Sequence, residues 1–403
     1  MDTTDRNRPA VRAWLMLGMA TLGFALNFWA WALLSPLGPR LKDYLGLSSF
    51  EQALIVAVPV IVGALGRIPV GALTDRYGGR IMFPLVSVAT IVPVLFLGLG
   101  GQNSLAALLA GGFLLGIGGT AFAVGVPFVS AWFPPQQRGL AIGVFGAGMG
   151  GTAISALTTV DLTTSLGTPA PFVITAAVLA VYAAAAALVM RGAPRRSAAV
   201  GSLSHRLAAT LRLSITWEAA ALYAVAFGGY VAFSVYLPAY LRTAYHLTAV
   251  DAAKRMAGFV LLAVVMRPLG GWLSDRYGPV RVLTGSMGIV AFGAALQSFT
   301  LPLMPVGTFV FLTMAAALGA ASGATFALVS LLAPADKVGA VTGVVGAAGG
   351  LGGFVPPLIM GAVYGQFGSY AVGLFALAVV AVGALTFTTT TVRRAATAHL
   401  AQA

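Results

Sequence analysis

Two arginines, Arg67 and Arg267, each interrupt an otherwise apolar run, and they stand 200 residues apart. A guanidinium stays protonated at any accessible pH and presents a planar fork of donors that suits planar oxyanions. Such a charge in the middle of a membrane span costs at least ~2.5 kcal/mol even on lenient insertion scales. Two facing each other would also repel by roughly 2 kcal/mol if ~8 Å apart at an effective dielectric of 20. A carboxylate partner is not in view. The ten acids (Asp2, Asp5, Asp43, Glu51, Asp75, Asp161, Glu218, Asp251, Asp275 and Asp336) all fall in loops, termini or helix ends. The expected partner is therefore a cargo, and that cargo is an anion.

The surroundings of the two arginines are copies of each other. Residues 65–80 (LGRIPVGALTDRYGGR) return as 265–280 (VMRPLGGWLSDRYGPV), with Arg67, Gly71, Leu73, Asp75, Arg76, Tyr77 and Gly78 each matched 200 positions later. A second block, 139–150 (GLAIGVFGAGMG), returns as 339–350 (GAVTGVVGAAGG) at the same offset. Two blocks sharing one offset predict two structurally equivalent halves. Asp75 marks the membrane edge, and Arg67 lies eight residues before it, about 12 Å deeper at ~1.5 Å per residue. That is close to the middle of a hydrocarbon core of about 30 Å, and Arg267 occupies the same depth in the other half.

The elements that must position them are membrane helices. With 59% apolar residues, 8% charged residues and 403 residues in all, the chain is unlike a soluble globule, whose charged fraction is nearer ~25%. Twelve apolar runs of helix-spanning length can be drawn, whereas the alternating segments of about ten residues that mark an outer-membrane barrel are absent. The fold class expected is all-α and polytopic, with twelve transmembrane helices in two pseudo-symmetric six-helix bundles. Residues 1–191 would form the first bundle, 192–215 a basic cytoplasmic linker, and 216–403 the second bundle with a short tail. The first span is read from Trp14 to Leu37, Arg40–Ser49 as a loop, and Asp75–Arg80 as a tight turn. Lys and Arg fall sixteen on the side of the termini, five on the other and two within spans, which accounts for all 23 and places both termini in the cytoplasm. The net charge of +13 then needs no nucleic acid or other acidic partner. Localisation in the cytoplasmic (inner) membrane is expected.

Two six-helix halves joined by a cytoplasmic linker resemble the major facilitator superfamily. The segment Gly71-x-Leu73-x-Asp75-Arg76-x-Gly78-Gly79-Arg80 looks like that superfamily's signature between the second and third spans. Its second copy carries Pro279 and Val280 in place of Gly79 and Arg80. Glycines there permit a tight turn, and the pairs Asp75/Arg76 and Asp275/Arg276, with Gly71 and Gly271, are candidates for a gating latch. The combination of Arg67-Ile68-Pro69-x-Gly71, Arg267-Pro268-Leu269-Gly270-Gly271 and the glycine runs 146–151 and 346–353 resembles the nitrate/nitrite porter (NarK-type) family. That resemblance implies that both arginines bind the anion, that Phe122 and Phe227 pack against its faces, and that Tyr223 donates a hydroxyl. It also implies an amide where this chain has Met149, so one polar contact to the anion is missing here. Small residues at Gly146, Gly148, Gly150, Gly346, Gly349 and Gly350 let the fifth and eleventh helices approach their neighbours and slide against them.

Other chemistry finds no support. His205, His246 and His399 lie outside the spans and far apart, so they build neither a metal site nor a proton relay. There is no phosphate-binding loop, so a pump driven by ATP is disfavoured, and the lack of cysteine excludes disulfides and thiolate metal sites. Neither enzymatic activity nor a cofactor is expected. The expectation is a monomeric secondary carrier of nitrate and nitrite embedded in the lipid bilayer. Because arginine cannot release its proton and no carboxylate or imidazole lies mid-membrane, exchange of nitrate for nitrite is favoured. The alternatives are nitrate/proton symport, with Tyr223, water or Asp161 carrying the proton, and a carrier of another small anion such as formate or oxalate. A sensor or an anion channel on the same scaffold is the reading from a different class.

Overall fold

The computed structural model describes residues 3–192, 208–334 and 337–402. Among the described residues, twelve helices are long and apolar enough to cross a membrane. In chain order they are α1 (Val11–Leu45), α2 (Ser49–Tyr77), α3 (Gly79–Leu99), α4 (Leu105–Trp132), α5 (Ala141–Leu166), α6 (Ala170–Val189), α7 (Ser214–Tyr245), α8 (Ala249–Tyr277), α9 (Pro279–Ser298), α10 (Leu303–Leu332), α11 (Ala340–Phe367) and α12 (Ala371–His399). Side chains such as Val92, Val181, Phe292 and Phe375 point outward, more than half exposed. An apolar belt of that kind suits hydrocarbon, where every backbone polar group must be satisfied within its own helix. The chain is a multi-pass membrane protein.

The repeat seen in the sequence is written into the helix ends. α2 begins with a capping box, in which Ser48 Oγ accepts from the Glu51 amide at 3.2 Å and Glu51 Oε2 accepts from the Ser48 amide at 2.8 Å. At the equivalent place, Thr248 Oγ1 caps α8 by accepting from the Asp251 amide at 3.1 Å. Both helices then run 29 residues, and Arg67 and Arg267 are each the nineteenth. Both end at a glycine with positive φ, Gly78 at 82° and Gly278 at 87°. The turn after Asp75 is thus tighter than 75–80: Asp75, Arg76 and Tyr77 remain helical, and Gly78 alone makes the corner. The start of the chain also differs from expectation, because helix continues past Leu37 through Arg40 to Leu45 after a break at 32–33. Of the expected linker 192–215, residues 193–207 lie outside the described residues, and α7 already begins at Ser214.

Packing within each set of six helices is close. Gly63 of α2 and Gly119 of α4 nearly touch, and a methyl group at Gly63 would stand 3.3 Å from Gly119 Cα. A buried polar cluster ties α1 to α3: Asn27 Nδ2 donates to Ser87 Oγ at 2.9 Å, and Thr90 Oγ1 donates to Asn27 Oδ1 at 3.2 Å. Between the two sets, α2 meets α11, α5 meets α8 and α1 meets α7. These contacts are tightest at the end remote from the termini, called here the far face. There a methyl group at Gly361 of α11 would press on Ala53 Cβ of α2 at 2.5 Å, and Ser35 Oγ of α1 donates to Val235 O of α7 at 2.7 Å. Toward the face that carries the termini, Gly71, Gly143, Gly271 and Gly343 have nothing within 4 Å of where a side chain would begin. The two sets are thus in direct contact at the far face.

Replacing Gly78 by valine forces a branched side chain into the left-handed region, at a cost of about 1–2 kcal/mol. Gly78→Val should lower the thermal midpoint of the detergent-purified protein accordingly. Gly18→Ala, in a helical position with nothing within 4 Å, should leave that midpoint unchanged or slightly raised.

Candidate functional site

The two arginines converge from opposite sets of helices. Arg67 of α2 is 8% exposed and Arg267 of α8 is 9% exposed. Their guanidinium carbons straddle the same two rings. Phe122 on α4 has its centroid 5.2 Å from Arg67 Cζ and 6.0 Å from Arg267 Cζ. Phe227 on α7 lies 5.9 Å and 5.6 Å from the same two atoms. Such placement over an aromatic face offsets part of the cost of burying a cation, about 0.5–2 kcal/mol per contact. No carboxylate is paired with either arginine among the described residues.

The arginines also have neutral protein acceptors, of which the positions of the acids along the chain give no sign. Arg67 Nη1 donates to the backbone oxygen of Gly346 on α11 at 2.6 Å. Arg267 Nη2 donates to Tyr223 Oη at 2.9 Å, and its Nη1 lies 3.2 Å from Met149 Sδ. All three acceptors are neutral, and the thioether is a weak one. Arg67 Nε is buried with no hydrogen-bond partner. A cavity of about 10 Å³ beside Arg67, between Trp31, Ala64 and Phe227, has room for no more than about one water. The charges are therefore held and desolvated but not neutralised.

Glycine explains how helix backbones come this close. A methyl group at Gly146 of α5 would stand 3.8 Å from Arg267 Nε, and one at Gly350 of α11 would stand 3.7 Å from Arg67 Nη1 and only 2.7 Å from Ala64 Cβ. One at Gly346 would reach Phe122 at 3.5 Å, and one at Gly349 would collide with the Tyr223 ring. The pattern crosses the seam: the α2 arginine lies against α11, and the α8 arginine lies against α5. Two of the expected glycines lie elsewhere. Gly148 packs on Phe24 of α1, and Gly150 faces open space.

The ring partners expected from sequence are brought together. Tyr223 and Phe227, one turn apart on α7, stack with centroids 5.0 Å apart and planes 2° from parallel. Two contributors escaped the sequence reading. Phe326 of α10 meets Tyr223 edge-on at 4.8 Å and lies 5.6 Å from Arg267 Cζ. Its counterpart 200 positions earlier is Val126, so the internal repeat could not point to it. Tyr230 of α7 approaches Thr152 Oγ1 at 3.2 Å, and that hydroxyl donates to Met149 O at 3.0 Å. Tyr223, Phe227 and Tyr230 follow i, i+4, i+7 spacing, a helix-face signal that could have found Tyr230. The latch candidates are not part of this cluster. Asp75, Arg76, Asp275 and Arg276 sit at the ends of α2 and α8, about two turns away, with Arg276 Cζ 5.6 Å from the Tyr277 ring centroid and Gly71 and Gly271 open to space.

Among the described residues, twelve spans enclose a buried, desolvated cation pair, the arrangement of a membrane transporter. The family model described as Major Facilitator Superfamily matches residues 20–357 and 220–402. The chain is 47% identical over 377 residues to the probable nitrate/nitrite transporter NarK2 of Mycobacterium tuberculosis, covering 92% of this chain and 95% of that protein. It is 35% identical to the nitrite extrusion protein of Bacillus subtilis, covering 92% of each. A solved bacterial homologue of the human lysosomal transporter Spinster, in an inward-facing and unoccupied conformation, shares the fold with a TM-score of 0.75 at 20% identity over 96% of this chain and 98% of that one. The chain belongs to the nitrate/nitrite porter (NarK-type) family of the major facilitator superfamily.

Arg67→Lys and Arg267→Lys each keep the charge and remove the fork, and a lysine cannot make the bidentate contact. Each variant should fold, elute as a single species, and lose nitrate affinity at least tenfold by titration calorimetry. Unchanged affinity in either would show that the arginine is not a direct ligand.

Proposed function

We propose that the protein carries nitrate and nitrite across the cytoplasmic membrane by alternating access, with the anion held between Arg67 and Arg267. The observation that carries this reading is the pair of guanidinium groups straddling Phe122 and Phe227 with only neutral acceptors around them. A planar, weakly hydrated monoanion fits the demands of such a site. It would accept from both forks, lie between two aromatic faces, and replace Gly346 O, Tyr223 Oη and Met149 Sδ as the acceptor. The relatives named for nitrate and nitrite support that choice of anion. Tyr223 would donate its hydroxyl to the anion once Arg267 turns to it.

Both termini are assigned to the cytoplasm, from the excess of Lys and Arg on that side. The far face is then extracellular. Residues 1–191 and 216–403 would move as two bodies joined by the linker, in a carrier that works as a monomer. Asp75, Arg76, Asp275 and Arg276, with Gly71 and Gly271, would close the cytoplasmic end in the outward-facing state. The open glycines Gly71, Gly143, Gly271 and Gly343 leave room for that approach.

Exchange is the favoured mode. An empty site carries two bare positive charges into the occluded state, and a bound monoanion cancels one and bridges the pair. Liposomes preloaded with nitrite should take up labelled nitrate several-fold faster than empty ones, with little response to an imposed proton gradient. Rapid uptake into empty, inside-alkaline liposomes would instead establish proton symport.

A further inference from the structure

The far face holds a second cluster of cations that the transport site does not use. Between the two sets of helices lies a cavity of about 420 Å³, with Arg40 and Asp43 of α1, Thr163 and Thr164 of α5, and Arg242 and His246 from the end of α7 in its walls. That volume holds a small oxyanion together with waters of hydration, each of which takes about 30 Å³. Arg242 Nη2 donates to Asp43 Oδ2 at 2.6 Å, using one carboxylate oxygen. Arg40 Nη2 has a neutral acceptor, Thr168 Oγ1, at 3.2 Å. The walls thus carry two guanidinium groups against one carboxylate. Of the other acids at this end, Glu51 is engaged by the Ser48 amide at 2.8 Å and Asp251 by the Thr248 hydroxyl at 2.9 Å, while Asp161 is exposed on α5.

The Asp43–Arg242 pair also spans the seam. It joins α1 to α7 at the far face, beside the bond from Ser35 to Val235 O on the same two helices. The pair is open to water, with Arg242 34% and Asp43 62% exposed at the side chain. Ion pairs of this kind contribute about 0–1 kcal/mol, so a dissolved monoanion can compete for the arginine. Because Asp43 stays in the wall, one bound monoanion brings the formal charge of the cavity from +1 to zero, and the released carboxylate is already hydrated.

We propose that this cavity is an outer binding site for a small monovalent oxyanion, and that the occupant takes the place of Asp43 on Arg242 and so releases the cross-link between the halves. Occupancy from outside would loosen the extracellular end before the anion reaches Arg67 and Arg267. The inference rests on the reading of the protein as an anion carrier with the far face outside.

Right-side-out and everted membrane vesicles containing the full chain, with labelled nitrate as probe, separate the two faces. Arg40→Gln and Arg242→Gln should raise the KM for nitrate presented at the far face about five- to tenfold and leave the KM at the other face within twofold. An equal change at both faces, or none, overturns the outer site. The cross-link is read separately by spin-label distances between Tyr44→Cys and Ala244→Cys, introduced into a chain that has no native cysteine. Asp43→Asn should lengthen that distance without nitrate. In an Arg267→Lys background, where the central site is impaired, millimolar nitrate should still lengthen it, and adding Arg242→Gln should abolish that response. A distance insensitive to nitrate in the Arg267→Lys background overturns the proposal while leaving the central carrier reading intact. Failure of wild-type vesicles to carry nitrate at either face would bring down the carrier reading itself.

Discussion

Everything in this molecule is arranged around two positive charges that cannot be discharged. Arginine does not release its proton in a protein, and a guanidinium carried into hydrocarbon normally finds a carboxylate or a water-filled cavity. Among the described residues, Arg67 and Arg267 have neither a carboxylate partner nor more than about one water's worth of space beside Arg67. They are held by a backbone carbonyl, a phenol, a thioether and the faces of aromatic rings. Each of these stabilises a cation weakly and is easily given up. A stronger set of partners would lower the energy of the empty site and make the cargo redundant.

Much of the architecture could be read from the chain because duplication leaves a measurable offset. The common spacing of 200 predicted the two halves, and the structure extends it to details that were not sought, such as the paired caps at Ser48 and Thr248. The arginines were legible because a charge in an apolar run is costly and demands a reason. Phe122, Phe227 and Tyr223 were legible only through family resemblance, since an aromatic residue in a membrane helix ordinarily faces lipid or core. Gly346 was placed among the packing glycines, yet its carbonyl oxygen is what Arg67 grips. A backbone acceptor has no side-chain signature, so no sequence pattern could have announced it. The helix boundaries missed for a related reason: Arg40 and Asp75 are charged but still helical, because the ends of a membrane helix reach past the hydrocarbon into a zone where charge is tolerated.

The inner faces of α5 and α11 show how composition becomes geometry. Replacing glycine by alanine at Gly350 or Gly349 would place a methyl group where Ala64 or the Tyr223 ring already stands. The glycines therefore set how near the backbone can come to the arginines, and with that the width of the slot in which an anion would lie. At the ends of the same helices nearer the termini, Gly143 and Gly343 touch nothing, and Gly71 and Gly271 are likewise free on α2 and α8. One residue type thus meets two surroundings along a single helix: close packing at the site and open space beyond it.

The halves are duplicates, but the acceptors around their arginines are not. Arg267 holds a hydroxyl and a sulfur, while Arg67 holds the carbonyl of a helix from the opposite half. The positions equivalent to Tyr223 and Phe326 are Gly23 and Val126, which offer Arg67 nothing comparable. An anion held between the two, as proposed, would meet unlike hands, one backed by a side chain that can rotate and one by a backbone that moves only with its helix. Detailed balance fixes the ratio of forward to reverse rate constants around a cycle, but it does not require two different release steps to be equally fast. The symmetry of the tandem duplication is thus broken at the one place where the two halves would grip the same ion.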